Sequence, residues 1–208
     1  MAQPKQERAV RTRAAIIHAA AEVFDERGFN GASLSRILER AGATMGALYF
    51  HFASKEALAK AVMAEQAADL TLTPGEDGLQ RLVHLTMDLA RGMQHDVLLR
   101  AGVRLAVEQG GFGVRDSTAY ELWIDEFRRQ LVAARLRGEL VAGVDEEDFA
   151  RTLVGAYTGT QLLSKITTGH ADLPARIASL WRYLLPAIAT PQALSCLEVR
   201  VENGEALT

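Results

Sequence analysis

Residues 33–52 read SLSRILERAGATMGALYFHF, and this stretch decides the fold. Ser33 suits the N-cap of a short helix that turns Leu34, Ile37 and Leu38 inward. Gly42 stops that helix, because glycine adopts the left-handed cap conformation without strain. Thr44 caps a second helix running to about Phe50. Two short helices across a tight turn form a helix-turn-helix, whose second helix enters the DNA major groove.

Working outward, residues 8–27 place Ile16, Ile17, Ala20, Val23 and Phe24 on one face at helical spacing, and Gly28 ends that helix. Ser54 caps a fourth helix directed toward about Leu70. Thr71–Gly78 contains Pro74, Gly75 and Gly78 and reads as a loop. Further helices are predicted over roughly 79–94, 96–109, 117–137, 146–168 and 174–188. Gly110–Gly113, Gly138 and Val141–Val144 interrupt the series. No strand alternation or internal repeat is present. The fold class is therefore all-α. A three-helix head over 1–53 should bind DNA, a helical body over 54–190 should bind a ligand and dimerise, and a loosely ordered tail should follow over 191–208.

The 208 residues carry a formal net charge of −3, unevenly spread. Residues 1–60 sum to +3 and the rest to −6, so attraction to DNA is local to the head. The single cysteine, Cys196, forms no intramolecular disulfide. No apolar run approaches the roughly 20 residues of a membrane span. No signal-peptide pattern stands at the N-terminus, so the expected location is the cytoplasm. Phosphate-loop, zinc-protease and nucleophile-elbow motifs are absent, and His18, His51, His84, His95 and His170 lack metal-ligand spacing. No enzyme, cofactor or metal is expected.

In the head, Gly46 and Ala47 are small where a recognition helix would approach phosphates, and its amino end favours an anion. Thr44 caps the helix and offers a hydroxyl. Tyr49 is long enough to reach a phosphate or a thymine methyl, though it also reads as core. Arg11 and Arg13, on a flexible lead-in, suit backbone or minor-groove contacts. Lys55 suits a flanking phosphate. Ser33 is a cap first and a phosphate contact second. His51 closes the second helix as a packing residue or a DNA contact. Phe50 and Phe52 read as core aromatics, and Arg27, Arg36 and Arg40 as a solvated face.

In the body, residues 146–168 and 174–188 carry broad apolar stripes that serve either a four-helix dimer interface or the internal core. Trp123, in ELWIDEFRRQL, is either core or one wall of a ligand cavity. Thr158 offers a hydroxyl to a ligand carbonyl, and Gln66 leaves the head toward the same region. Both residues also have ordinary structural readings.

The run from Gly42 to Phe52, followed by Lys55-Glu56, resembles the DNA-binding domain of TetR-family transcriptional regulators. That family usually reads Gly-Val-Ser/Thr-Lys-Gly-x-Leu-Tyr-x-His-Phe at this point. GALYFHF with SKEALA is most similar to the γ-butyrolactone autoregulator receptors, and the similarity continues through Leu98–Leu105 and around Trp123. The resemblance implies a homodimeric repressor on a palindromic operator, released by a small γ-butyrolactone or butenolide and controlling secondary metabolism. It also implies that Trp123 walls the ligand cavity. A repressor sensing a furan, antibiotic or drug and controlling efflux or biosynthesis genes is the alternative. Met45 departs from the pattern, since the family usually has a DNA-contacting lysine there.

Overall fold

A computed structural model describes residues 3–68, 75–112, 117–201 and 205–206. Contacts divide it into two compact units, one of residues 1–70 with 96–119 and one of 71–95 with 120–208.

The first unit holds α1 (Gln3–Gly31), α2 (Leu34–Ala41), α3 (Met45–His51), α4 (Lys55–Ala68) and α6 (Val97–Glu108). Its core gathers Ile16, Ala20, Val23 and Phe24 of α1 with Ile37, Leu48, Phe52, Leu58, Val62 and Leu105. The caps form as the sequence predicts. Ser33 Oγ accepts from Arg36 N–H at 3.3 Å, Thr44 Oγ1 from Ala47 N–H at 3.2 Å, and Ser54 Oγ from Ala57 N–H at 3.2 Å. Gly42 closes α2 in the left-handed region, φ 60°.

One feature of α1 departs from expectation. The lead-in is helical: α1 begins at Gln3, with Pro4 in its first turn. As expected, the first helix stops at Gly28 (φ 69°, ψ 177°), a conformation only glycine holds cheaply, and a short turn to Gly31 follows the break. The break is clamped by α6. Glu108 Oε2 accepts from Phe29 N–H at 2.8 Å, Arg104 donates to the Asp25 carbonyl at 2.6 Å, and Arg100 pairs with the Asp25 carboxylate at 2.7 Å. So α4 and α6, assigned to the body on sequence, pack with the head.

The second unit holds α5 (Leu79–His95), α7 (Thr118–Leu136, from Tyr120 on), α8 (Glu146–Thr168), α9 (Leu173–Ile188), α10 (Pro191–Leu194), and the paired residues of β1 (Arg200–Val201) and β2 (Glu205–Ala206). Fully buried Trp181 of α9 donates Nε1–H to Thr86 Oγ1 of α5 at 2.7 Å, joining those helices. The Asp172 carboxylate ties the end of α8 to the start of α9 by accepting from Ser164 and Thr168 hydroxyls at 2.6 and 2.7 Å.

The tail expected to be loose is held through residue 201. Thr190 caps α10, and the Gln80 side chain pairs with the Glu198 backbone through bonds of 2.8 and 2.9 Å. Among the described residues, no helix is long and apolar enough to cross a membrane.

Candidate nucleic-acid interface and effector region

The face of α3 follows from its turn of 100° per residue. Leu48 is buried, and so is Phe52, four residues on, so these two mark the inner line. Gly46 and Phe50 lie about 160° away from Leu48 and form the outermost ridge. Phe50 is 78% exposed, which corrects the expectation that it is core. Its neighbour Phe52 is core, as expected. Tyr49 and Met45 are exposed on one flank of the ridge, and Ala47 is half-buried on the other. This short helix therefore presents small and apolar groups, with no lysine or arginine of its own.

Gly46 is informative. A Cβ placed there would meet no heavy atom nearer than Thr44 Oγ1 at 4.0 Å, so packing within the head does not require glycine. The Thr44 oxygen accepts the cap bond, which leaves its proton free to donate outward.

The surrounding cations separate into free and tethered ones. Arg11 joins Arg8, Thr12, Ala15, Ala41, Gly42 and Ala43 in lining a shallow groove of about 410 Å³ beside the turn between α2 and α3. Neither Arg8 nor Arg11 has an ion pair among the described residues. Arg13 instead lies over the Phe52 ring, 5.6 Å from its centroid, and pairs with Glu65 at 3.5 Å. Lys55 Nζ sits 4.4 Å from the Phe29 centroid, and burial lowers its pKa against a smaller opposing effect of Glu56. Arg40 fastens α2 to α1 through Glu26 at 2.8 Å and Glu22 at 3.4 Å, a structural role rather than a free solvated one. His51 stands between Phe50 and Phe52, with ring centroids 4.9 and 6.1 Å away. Ser33 is exposed at the start of α2.

In the second unit, Trp123 is half-buried, with its ring centroid 5.8 Å from that of buried Phe127. Thr158 is also half-buried, but its hydroxyl donates to the Val154 carbonyl at 2.8 Å. The side chain of Gln66 lies outside the described residues. The apolar stripes of α8 and α9 divide. Leu153, Ile177, Trp181 and Leu185 are core, whereas Leu163, Ile166 and Tyr183 remain exposed. Among the described residues no His, Cys, Asp or Glu cluster could hold a metal ion.

Comparison with known proteins agrees with both units. Residues 16–62 match the model for bacterial regulatory proteins of the tetR family, and residues 76–190 match the tetracyclin repressor-like C-terminal domain. The A-factor receptor protein of Streptomyces griseus is 41% identical over 92% of this chain and 68% of its own length. The crystal structure of native TylP, a TetR regulator from Streptomyces fradiae, superposes with a TM-score of 0.79 at 41% identity, covering 95% of this chain and 88% of that one. A γ-butyrolactone receptor described as ArpA-like gives a TM-score of 0.70 at 33% identity, covering 91% and 93%. With a capped helix-turn-helix in one unit and the family's C-terminal fold in the other, the chain belongs to the TetR family of DNA-binding transcriptional regulators.

Proposed function

We propose that this protein is a homodimeric repressor released from a palindromic operator by a γ-butyrolactone-type signalling molecule, and that it controls secondary metabolism from the cytoplasm. The observation that carries this reading is that identity to the A-factor receptor protein runs through almost the whole chain and is not confined to the head.

The ridge of Gly46 and Phe50, flanked by Met45, Ala47 and Tyr49, enters the major groove. An apolar ridge favours contact with thymine methyl groups over bidentate reading of guanine. Thr44 and Ser33 approach phosphates near helix amino ends. Arg11 contributes a free cation beside the turn, while Arg13, Lys55 and His51 stand close to the same surface. Exposed Leu163, Ile166 and Tyr183 on α8 and α9 meet a second copy. Two recognition helices then address half-sites about 34–36 Å apart.

Trp123 walls the effector, with Thr158 on α8. Effector binding favours a state in which the recognition helices no longer match that spacing, and it acts only through its differential affinity for the two states. In the first unit, the clamp of α6 on the α1 break is the element through which a movement of α6 would reach the helix-turn-helix.

The test is footprinting on the protein's own upstream region with wild type and Trp123→Ala. Wild type should protect a palindrome and lose the footprint when a 2-acyl-γ-butyrolactone is added. Trp123→Ala should protect the same sequence and keep it. Release of Trp123→Ala at the wild-type lactone concentration would remove Trp123 from the effector site.

A further inference from the structure

One buried side-chain hydroxyl among the described residues of the second unit has no hydrogen-bond partner. Tyr157 lies on α8, on the inward line with buried Leu153 and Gln161 at four residues to either side. Its Oη is enclosed and has no hydrogen-bond partner among the described residues. A phenolic hydroxyl removed from water without a partner is costly, so such groups in native folds call for an explanation. Burial pushes the phenol above its ordinary range, which keeps it a neutral donor.

The other hydroxyls from here to the end of α8 are already committed. Thr158 donates to the Val154 carbonyl and Thr160 to the Ala156 carbonyl, both at 2.8 Å. Ser164 and Thr168 donate to Asp172, and Thr167 donates to the Leu163 carbonyl. A lactone or ketone carbonyl only accepts, so it needs a free donor, and a hydroxyl already bonded to a backbone carbonyl does not supply one. Thr158 has spent its proton and Tyr157 has not.

Ion pairs set the register of α7 against α8. Glu121 meets Arg151 at 3.6 Å and Arg128 meets Glu147 at 3.4 Å, so the two helices run antiparallel. That register puts Trp123 roughly 10 Å from Tyr157 along the α8 axis, at about 1.5 Å per residue. A molecule with a carbonyl head and an aliphatic tail is long enough to span that axial offset.

We propose that Tyr157, and not Thr158, donates the hydrogen bond that holds the carbonyl of a small apolar effector, while Trp123 lines the path of its aliphatic tail. The assignment rests on the effector-released reading above and names the polar anchor within it.

The test compares wild type, Tyr157→Phe and Thr158→Val on a labelled upstream fragment titrated with a 2-acyl-γ-butyrolactone. Tyr157→Phe should bind DNA as wild type, melt no earlier, and need about tenfold more lactone for release, the loss of one neutral hydrogen bond. Thr158→Val should release within twofold of wild type. With an analogue that lacks the carbonyls, wild type and Tyr157→Phe should become equal. Three results would overturn the assignment while leaving the effector reading intact. These are an unchanged release midpoint in Tyr157→Phe, a loss carried by Thr158→Val, or an earlier melt of Tyr157→Phe, which would mean the hydroxyl serves the fold. If no lactone releases wild type, the effector reading falls, and the assignment falls with it.

Discussion

Gly46→Ala separates folding from DNA contact in a single substitution. Gly46 is the second residue of a seven-residue helix, where glycine is an unfavourable choice. In a helix interior the replacement is worth roughly 0.5–1 kcal/mol, and the first turn feels the lower end of that range. The added methyl would sit 4.0 Å from its nearest neighbour, Thr44 Oγ1, an ordinary van der Waals contact. Stability should therefore rise by about 0.5 kcal/mol, or about 1–2 °C in melting midpoint for a chain of this size. DNA affinity should move the other way. A methyl on the outermost ridge of α3 holds the helix off the duplex and weakens bonds between its amino end and phosphate. One charge-assisted bond of about 1.5–3 kcal/mol corresponds to tenfold or more per subunit. Circular-dichroism melts and fluorescence anisotropy on an operator fragment, at one fixed salt concentration, measure the two quantities. Wild-type affinity in Gly46→Ala would refute the placement of this ridge against DNA. A lower melting midpoint would show that Gly46 serves the fold.

Met45→Lys should tighten operator binding and steepen the logarithmic salt dependence by about one unit per subunit, as read by anisotropy between low and moderate salt. Equal slopes would mean that position 45 does not reach phosphate. Gly28→Ala should destabilise the protein by about 1–3 kcal/mol, because the new Cβ must hold a glycine-only conformation. It would also lie 2.6 Å from Glu108 Oε2, so a thermal melt at neutral pH should fall by several degrees. Asp172 titrates at about 2, lowered by hydrogen bonds from Ser164, then Thr168, and by Arg176. A depressed carboxyl stabilises the fold above its unfolded pKa and loses that contribution as pH falls through the folded value. Asp172→Asn should thus melt below wild type at pH 6, and the gap should close between about pH 4 and pH 2. A gap independent of pH would show that the charge contributes nothing.

Much of the head is legible in the sequence because its signals are local. Ser33, Thr44 and Ser54 each precede a helix and each accept the predicted cap bond within three residues. Phe50 shows where that reading slipped. Aromatic character suggested core, but the four-residue spacing of Leu48 and Phe52 already fixes the inner face and turns Phe50 outward. The wrap of α6 around the α1 break was not legible, since Glu108 reaches Phe29 across 79 residues. The hold on the tail joins Gln80 to Glu198 across 118 residues and was equally hidden. Thr158 belongs to a middle case. Its bond to Val154 is a common local habit of threonine in helices, and it predicts a spent donor. The isolation of Tyr157 depends on every group packed around it, which no local pattern encodes.

The most direct test of the central claim is fluorescence anisotropy of the purified protein on a labelled fragment of its own upstream region, with and without a panel of 2-acyl-γ-butyrolactones. Tight, salt-sensitive binding that one panel member reverses is the predicted result. Tight binding that every member leaves untouched would contradict release by a γ-butyrolactone.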